Sequence, residues 1–148
     1  MNFIYFLVNG PSQNEVYGSW YMDEGYVLGL VLSIIVAILA VVLFYYVWSK
    51  LKPVTALHWF ITMGAAAVAT FCVNFFIAKG RIVNYISFNA LDQADPTAIQ
   101  RVAAGTLDMW LYSLNSLILA VIFYFIFSVI LKRWSNSYNI PFGVSRKK

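Results

Sequence analysis

Charge is scarce in this sequence. Only 11% of its 148 residues are Asp, Glu, Lys or Arg, whereas 61% are hydrophobic; a typical soluble domain carries about 25% charged residues. The hydrophobic residues also form long uninterrupted blocks. Each block is long enough, as an α-helix, to cross the roughly 30 Å hydrocarbon core of a bilayer. The composition therefore excludes an ordinary soluble domain and indicates an integral membrane protein, with room for a single domain.

Cysteine and histidine are almost absent, with one residue of each, Cys72 and His58. One thiol excludes an intramolecular disulfide and a multi-thiolate metal site. The two residues lie about four helical turns apart, roughly 20 Å, which is too far for one metal ion. The sequence has no glycine-rich phosphate loop, and the acids around Asp92 and Asp95 lack the spacing of an EF-hand. We therefore predict a protein that is not an enzyme, with no catalytic residue, cofactor or metal site.

Three apolar blocks predict transmembrane helices at about residues 26–48, 54–78 and 109–131. None of them contains Asp, Glu, Lys or Arg, whereas proton relays, cation pumps and voltage sensors need ionisable groups within the membrane. Only about five residues, including Lys50 and Pro53, join the first two helices, so these form an antiparallel hairpin. The predicted fold class is an all-α membrane protein with three spans.

The remaining segments are an outer N-terminal arm, an outer loop and a basic inner tail, at residues 1–25, 79–108 and 132–148. Gly80 lies between two cations and suits the end of the second helix. Within the loop, Asp95 followed by Pro96 has the pattern of an N-cap and a first helical residue. An apolar stripe after it predicts a short amphipathic helix that ends near Leu107.

The basic residues are unequally distributed. Seven of them would share one side of the membrane: Lys50, Lys52, Lys132, Arg133, Arg146, Lys147 and Lys148. Lys79, Arg81 and Arg101 would lie on the other side, with all six acidic residues. By the positive-inside rule, the chain is expected to be N-outside and C-inside, in a bacterial inner (cytoplasmic) membrane. The tail would contact anionic lipid headgroups. Because the basic clusters lie next to the ends of the predicted transmembrane helices, we do not expect nucleic-acid binding.

Small and polar residues mark one face of each predicted helix, and we expect them to serve in helix packing or pore lining. Small residues let transmembrane helices approach closely, whereas an unpaired amide in lipid is costly. The candidates are Gly29 and Ser33 on the first helix, Thr55, His58, Thr62, Gly64, Ala65, Ala69, Cys72 and Asn74 on the second, and Ser113, Asn115 and Ser116 on the third. The second helix is expected to be the central one, with Trp59 away from its packing face.

These features predict a non-enzymatic membrane subunit that packs through its helix seams into a larger multi-subunit complex, with a structural, assembly or anchoring role. The alternative is a self-assembling homo-oligomeric pore. In topology alone (three spans, N-outside, C-inside, basic tail) the chain resembles one class of phage holin, and that resemblance implies pore formation. Such a pore would be lined by the polar face of the second helix, at Thr55, His58, Thr62, Thr70 and Asn74. The expected partners are the lipid bilayer and other membrane subunits or copies of this chain.

Overall fold

The computed structural model describes residues 24–48, 55–88 and 96–132, and these are helical throughout except at Thr55. Helix α1 runs over Tyr26–Val42 and is continued by a π-helix over Leu43–Trp48. Helix α2 covers Ala56–Phe88, and helix α3 covers Pro96–Leu131. Residues 82–88, 96–106 and 108 are described by their backbone alone.

Three stretches are long and apolar enough to cross a membrane: Tyr26–Trp48, Ala56–Arg81 and Met109–Leu131. Only 22–33% of the residues in the most apolar window of each stretch are buried inside the chain. Most of each helix therefore presents apolar side chains outward, which lipid tolerates and water does not. Over the described residues, the structure confirms the predicted all-helical fold with three helices long and apolar enough to span a membrane, and these suggest a multi-pass membrane protein.

The helix ends differ from the predicted ones. Helix α2 does not stop near Gly80 but continues to Phe88, because a single glycine costs a helix only about 1 kcal/mol relative to alanine. Helix α3 begins at Pro96, as predicted, and then continues unbroken through the third span. Much of the expected outer loop at 79–108 is thus helix, and residues 89–95 lie outside the described part. The side of the membrane that this region faces, and an amphipathic placement of its helix, stay predictions.

Helix α3 lies at the centre of the bundle. It packs against α1 and against α2, and each of these contacts is more extensive than the contact between α1 and α2. Five of its fully buried residues recur every four positions, at Tyr112, Ser116, Ala120, Tyr124 and Ser128. The prediction that the second helix is central is therefore wrong. The small side chains of Ser116, Ala120 and Ser128 allow other helices to approach α3 closely, whereas several small residues of α2 face away from the chain.

An apolar cluster lies where α1 ends and α2 begins. Its buried members are Ala37, Val41, Phe44, Tyr45, Trp59, Ala66 and Tyr124. The ring of Trp59 meets that of Tyr124 edge-on, with centroids 5.4 Å apart. The sequence predicts that Trp59 lies away from the packing face of α2. The structure instead buries Trp59 against α3, with only 2% of its surface exposed. An indole is favoured at such a site when its N–H finds an acceptor.

Candidate functional site

One serine joins all three helices by hydrogen bonds. The indole Nε1 of Trp59 on α2 donates to the Oγ of Ser128 on α3, over 2.7 Å. The hydroxyl of Tyr45, at the end of the first span, lies 2.8 Å from the same Oγ. Tyr124 donates from its hydroxyl to the backbone carbonyl of Trp59, over 3.5 Å. We refer to Tyr45, Trp59, Tyr124 and Ser128 as the Ser128 cluster.

The arrangement in the Ser128 cluster follows from the cost of polar groups in a membrane interior. Each buried N–H or O–H needs a partner within the protein, since no water is present to supply one. The Ser128 hydroxyl can accept from Trp59 and still donate to, or accept from, Tyr45. Because the three partners come from three different elements, these bonds fix how the helices are rotated relative to one another.

A second hydrogen-bonded group lies toward the other end of the bundle. Tyr112 on α3 donates from its hydroxyl to the carbonyl of Gly25, over 2.6 Å, and to Oδ1 of Asn74, over 3.2 Å. The amide of Asn74 in turn donates to the carbonyl of Thr70, over 3.0 Å. Thr70 donates from Oγ1 to the carbonyl of Ala66. We refer to Gly25, Thr70, Asn74 and Tyr112 as the Tyr112 cluster.

Between the two clusters, α1 and α3 are joined at Ser33. Its hydroxyl donates to the Gly29 carbonyl on its own helix, over 2.7 Å, and to the Ser116 carbonyl on α3, over 3.2 Å. A serine that shares its proton in this way brings two helix backbones close together, which is the geometry that small residues permit in membranes. Both predicted packing residues of the first helix, Gly29 and Ser33, are buried, and Ser33 contacts α3.

The predicted packing residues divide into two sets. Six are buried within the chain: Gly29, Ser33, Asn74, Ser113, Asn115 and Ser116. Five are exposed, namely Thr55, Gly64, Ala65, Ala69 and Cys72, and two are half-buried, His58 and Thr62. Ala66, Ala67 and Thr70, which widen the predicted small-residue face of the second helix, are buried, but the centre of that face at Ala65 and Ala69 does not pack inside the chain. At about 100° per residue, the predicted face is centred roughly 120° around the helix axis from the buried face.

The polar residues at the start of α2 bind to each other. Nδ1 of His58 accepts from the backbone N–H of Thr55, over 3.3 Å, and lies 2.7 Å from Oγ1 of Thr55. The ring also meets that of Trp48 edge-on, at 5.8 Å between centroids. A side chain at the third helical position can cap the helix by accepting a hydrogen bond from the backbone N–H of the residue just before the helix. His58 therefore has a structural role at the start of α2.

The remaining candidates are placed only in part. Lys132, of the seven basic residues expected to face the membrane surface, is half-buried at the end of α3. Lys50, Lys52, Arg133, Arg146, Lys147 and Lys148 lie outside the described residues. Within the described part of the chain, no three His, Cys, Asp or Glu side chains are placed to hold a metal ion. The absence of a cofactor and of enzymatic activity stays a prediction.

Sequence reasoning missed the residues that make the strongest interhelical contacts. Tyr45, Tyr112, Tyr124 and Ser128 were not proposed, and Trp59 was assigned to the wrong face. A signal for three of them was available, since Tyr112, Tyr124 and Ser128 fall on the four-residue repeat of α3. Hydroxyl groups at that spacing, inside an otherwise apolar span, indicate a face that binds other helices.

No family model, characterised protein or solved structure gives a significant match to this chain, and no family is assigned.

Proposed function

We propose that the protein is a non-enzymatic subunit of a larger membrane complex, and that it binds its neighbours through the exposed face of α2. This face consists of Ile61, Gly64, Ala65, Val68, Ala69 and Cys72, all of them exposed in the chain. The role is structural: to assemble or anchor other subunits. The proposed topology is N-outside and C-inside, in a bacterial inner membrane.

The observation that supports this proposal most is the open space beside Gly64. A Cβ placed on Gly64 meets no heavy atom within 4 Å, so nothing in the chain itself requires a glycine there. Ala65 and Ala69 are four residues apart on the same exposed face, and such pairs of small residues allow a partner backbone to approach closely in lipid. Ile61 and Val68 beside them offer larger side chains for contact with that partner.

The internal hydrogen bonds support association through apolar contact. Ser33, Asn74, Tyr112 and Ser128 have partners inside the chain, and the exposed face of α2 bears no amide, hydroxyl or charge. Association along this face would therefore depend on close van der Waals contact rather than on polar groups, which is a usual mode for transmembrane helices.

The pore hypothesis is less well supported by the same geometry. Thr70 and Asn74 are fully buried and bonded inside the chain, whereas Thr55 is exposed. In this fold, the five residues expected to line a pore do not share one accessible surface. A homo-oligomeric pore remains the competing hypothesis, and native mass spectrometry distinguishes it from a subunit of a larger complex.

The orientation is supported by charge and topology together. The hydrogen bond between Tyr45 and Ser128 brings the ends of the first and third spans, Trp48 and Leu131, to the same end of the bundle, and two segments follow these ends in the sequence. Those two segments carry seven of the ten basic residues. Basic residues are concentrated on the cytoplasmic side of membrane proteins.

The test replaces Gly64 by leucine in the full chain. A large side chain on this face would block close approach, and we expect Gly64→Leu to weaken association by about tenfold, or ~1.4 kcal/mol. Gly80→Leu is the matched control, because a Cβ on Gly80 also meets no heavy atom within 4 Å, while Gly80 lies beyond the exposed small-residue face. The measurement is native mass spectrometry after purification in a mild detergent.

The outcomes separate the two functions. Foreign chains that co-purify with wild type and Gly80→Leu, but not with Gly64→Leu, support the proposed subunit. A single mass that is a multiple of this chain favours the pore. A wild-type protein whose assembly state is unchanged by Gly64→Leu would overturn the role given to this face.

A further inference from the structure

An aromatic surface lies along the edge between α2 and α3. Phe71 and Phe75 on α2 stack nearly parallel, with centroids 5.9 Å apart and planes at 16°. The indole of Trp110 on α3 contacts both rings, at 5.8 Å from Phe71 and 4.8 Å from Phe75. Trp110 is 50% exposed, and the two phenylalanines are half-buried. The three rings therefore form a fixed apolar surface that is open on one side.

A cation lies directly above this surface. Lys79 follows Phe75 by four residues, which places it on the same side of α2 and about 6 Å further along the axis. Lys79 is exposed and makes no hydrogen bond or ion pair with the described part of the chain. It lies near the end of the span Ala56–Arg81, at the level where long cationic side chains extend toward the headgroups.

The one acidic side chain that the structure describes, Glu24, does not pair with Lys79. Arg81 pairs with Glu24 at the start of the first span, with Nη2 and Oε2 3.8 Å apart. That pair balances one positive and one negative charge at this end of the bundle. Among the described side chains, Lys79 is thus a cation without an acidic partner next to an apolar surface, which suits a ligand with an anionic head and an apolar chain.

We propose that this edge binds an anionic phospholipid, with the phosphate at Lys79 and one acyl chain along Phe75, Phe71 and Trp110. The ammonium group interacts with the phosphate as a point charge. The ring faces contact the acyl chain by dispersion. They hold the acyl chain in place because the stacked rings are themselves fixed by α2 and α3. The site adjoins the exposed face of α2 at Val68 and Cys72, but lipid binding does not require that face to bind a partner subunit.

The test measures lipid binding to the full chain by native mass spectrometry. Dioleoyl phosphatidylglycerol and dioleoyl phosphatidylcholine, which share their acyl chains, are titrated against the detergent-solubilised protein. We expect the wild type to prefer the anionic lipid by about fivefold, the effect of one cation near a phosphate. Lys79→Gln should bind the two lipids about equally, whereas Lys79→Arg should keep the preference.

Two further variants locate the site. Lys132→Gln removes a cation at the other end of α3 and should leave the preference unchanged. Trp110→Leu should lower the affinity for both lipids, since it removes the aromatic surface but not the charge. The proposal is overturned if wild type binds the two lipids equally, if Lys79→Gln keeps the preference, or if Lys132→Gln loses it to the same extent.

Discussion

Replacing Ser128 by alanine tests the hydrogen bonds that join the three helices. The change removes one oxygen atom and with it the bonds to Trp59 Nε1, at 2.7 Å, and to the Tyr45 hydroxyl, at 2.8 Å. Interhelical hydrogen bonds in membrane proteins contribute about 0.6 kcal/mol each on average. Leaving a buried donor without an acceptor adds to this, up to roughly 1–3 kcal/mol. We expect Ser128→Ala to lower the free energy of unfolding by about 1–3 kcal/mol.

The assay is equilibrium unfolding in mixed dodecyl maltoside and dodecyl sulfate micelles, followed by far-ultraviolet circular dichroism. Ser113→Ala is the matched control. Ser113 is also a buried serine of α3, but its hydroxyl donates to the Met109 carbonyl of its own helix, over 2.8 Å. Removal of such a bond within a helix should cost less than about 0.5 kcal/mol.

A double-mutant cycle isolates one of the bonds. If Tyr45 and Ser128 are bonded as described, the variant with both Tyr45→Phe and Ser128→Ala should be less destabilised than the sum of the single changes, by about 0.6 kcal/mol. The reasoning is refuted if Ser128→Ala costs no more than Ser113→Ala. Strict additivity in the cycle would likewise exclude the bond between Tyr45 and Ser128.

Two further predictions concern the other cluster and the topology. Tyr112→Phe removes the donor to Gly25 and Asn74, so the free energy of unfolding in the same assay should fall by about 1 kcal/mol. The control is Tyr46→Phe, because the half-buried hydroxyl of Tyr46 has no hydrogen bond to the described residues. An equal loss in this control would contradict the role given to Tyr112. For the topology, single cysteines are introduced in a Cys72→Ser background by Lys50→Cys, Lys148→Cys and Ser12→Cys. An impermeant maleimide should label the first two from the cytoplasmic face of sealed vesicles and the third from the opposite face, and labelling of the first two from different faces would rule out the proposed arrangement.

The helix content and the spans could be read from the sequence because lipid leaves few alternatives. A backbone that crosses the hydrocarbon core must bond to itself, so an apolar block without charge forms a helix. The first span ends at Trp48 as predicted, and α3 starts at Pro96, where proline is tolerated because the first helical N–H needs no partner. The end of α2 was misjudged at Gly80, since a glycine weakens a helix without ending it.

The sequence did not allow a prediction of how each helix is rotated about its own axis. In water, apolar side chains mark the buried face, but in lipid they are equally stable against a neighbouring helix or an acyl chain. The small residues of α2 were therefore only a partial guide to its internal face: Ala66 and Thr70 lie inside, whereas Ala65 and Ala69 lie outside. The Tyr112 cluster was similarly hidden, because its carbonyl acceptor at Gly25 is separated from Tyr112 by most of the chain.

The sequence by itself determined that this protein has three apolar helices, where they lie along the chain and which of its segments are basic. Those properties depend on runs of residues and on the cost of exposing a backbone to hydrocarbon. Only the tertiary structure decided which faces meet. That choice depends on single donors and acceptors that are far apart in the chain. Trp59 and Ser128 are one such pair, and they can bond only when their helices pack together.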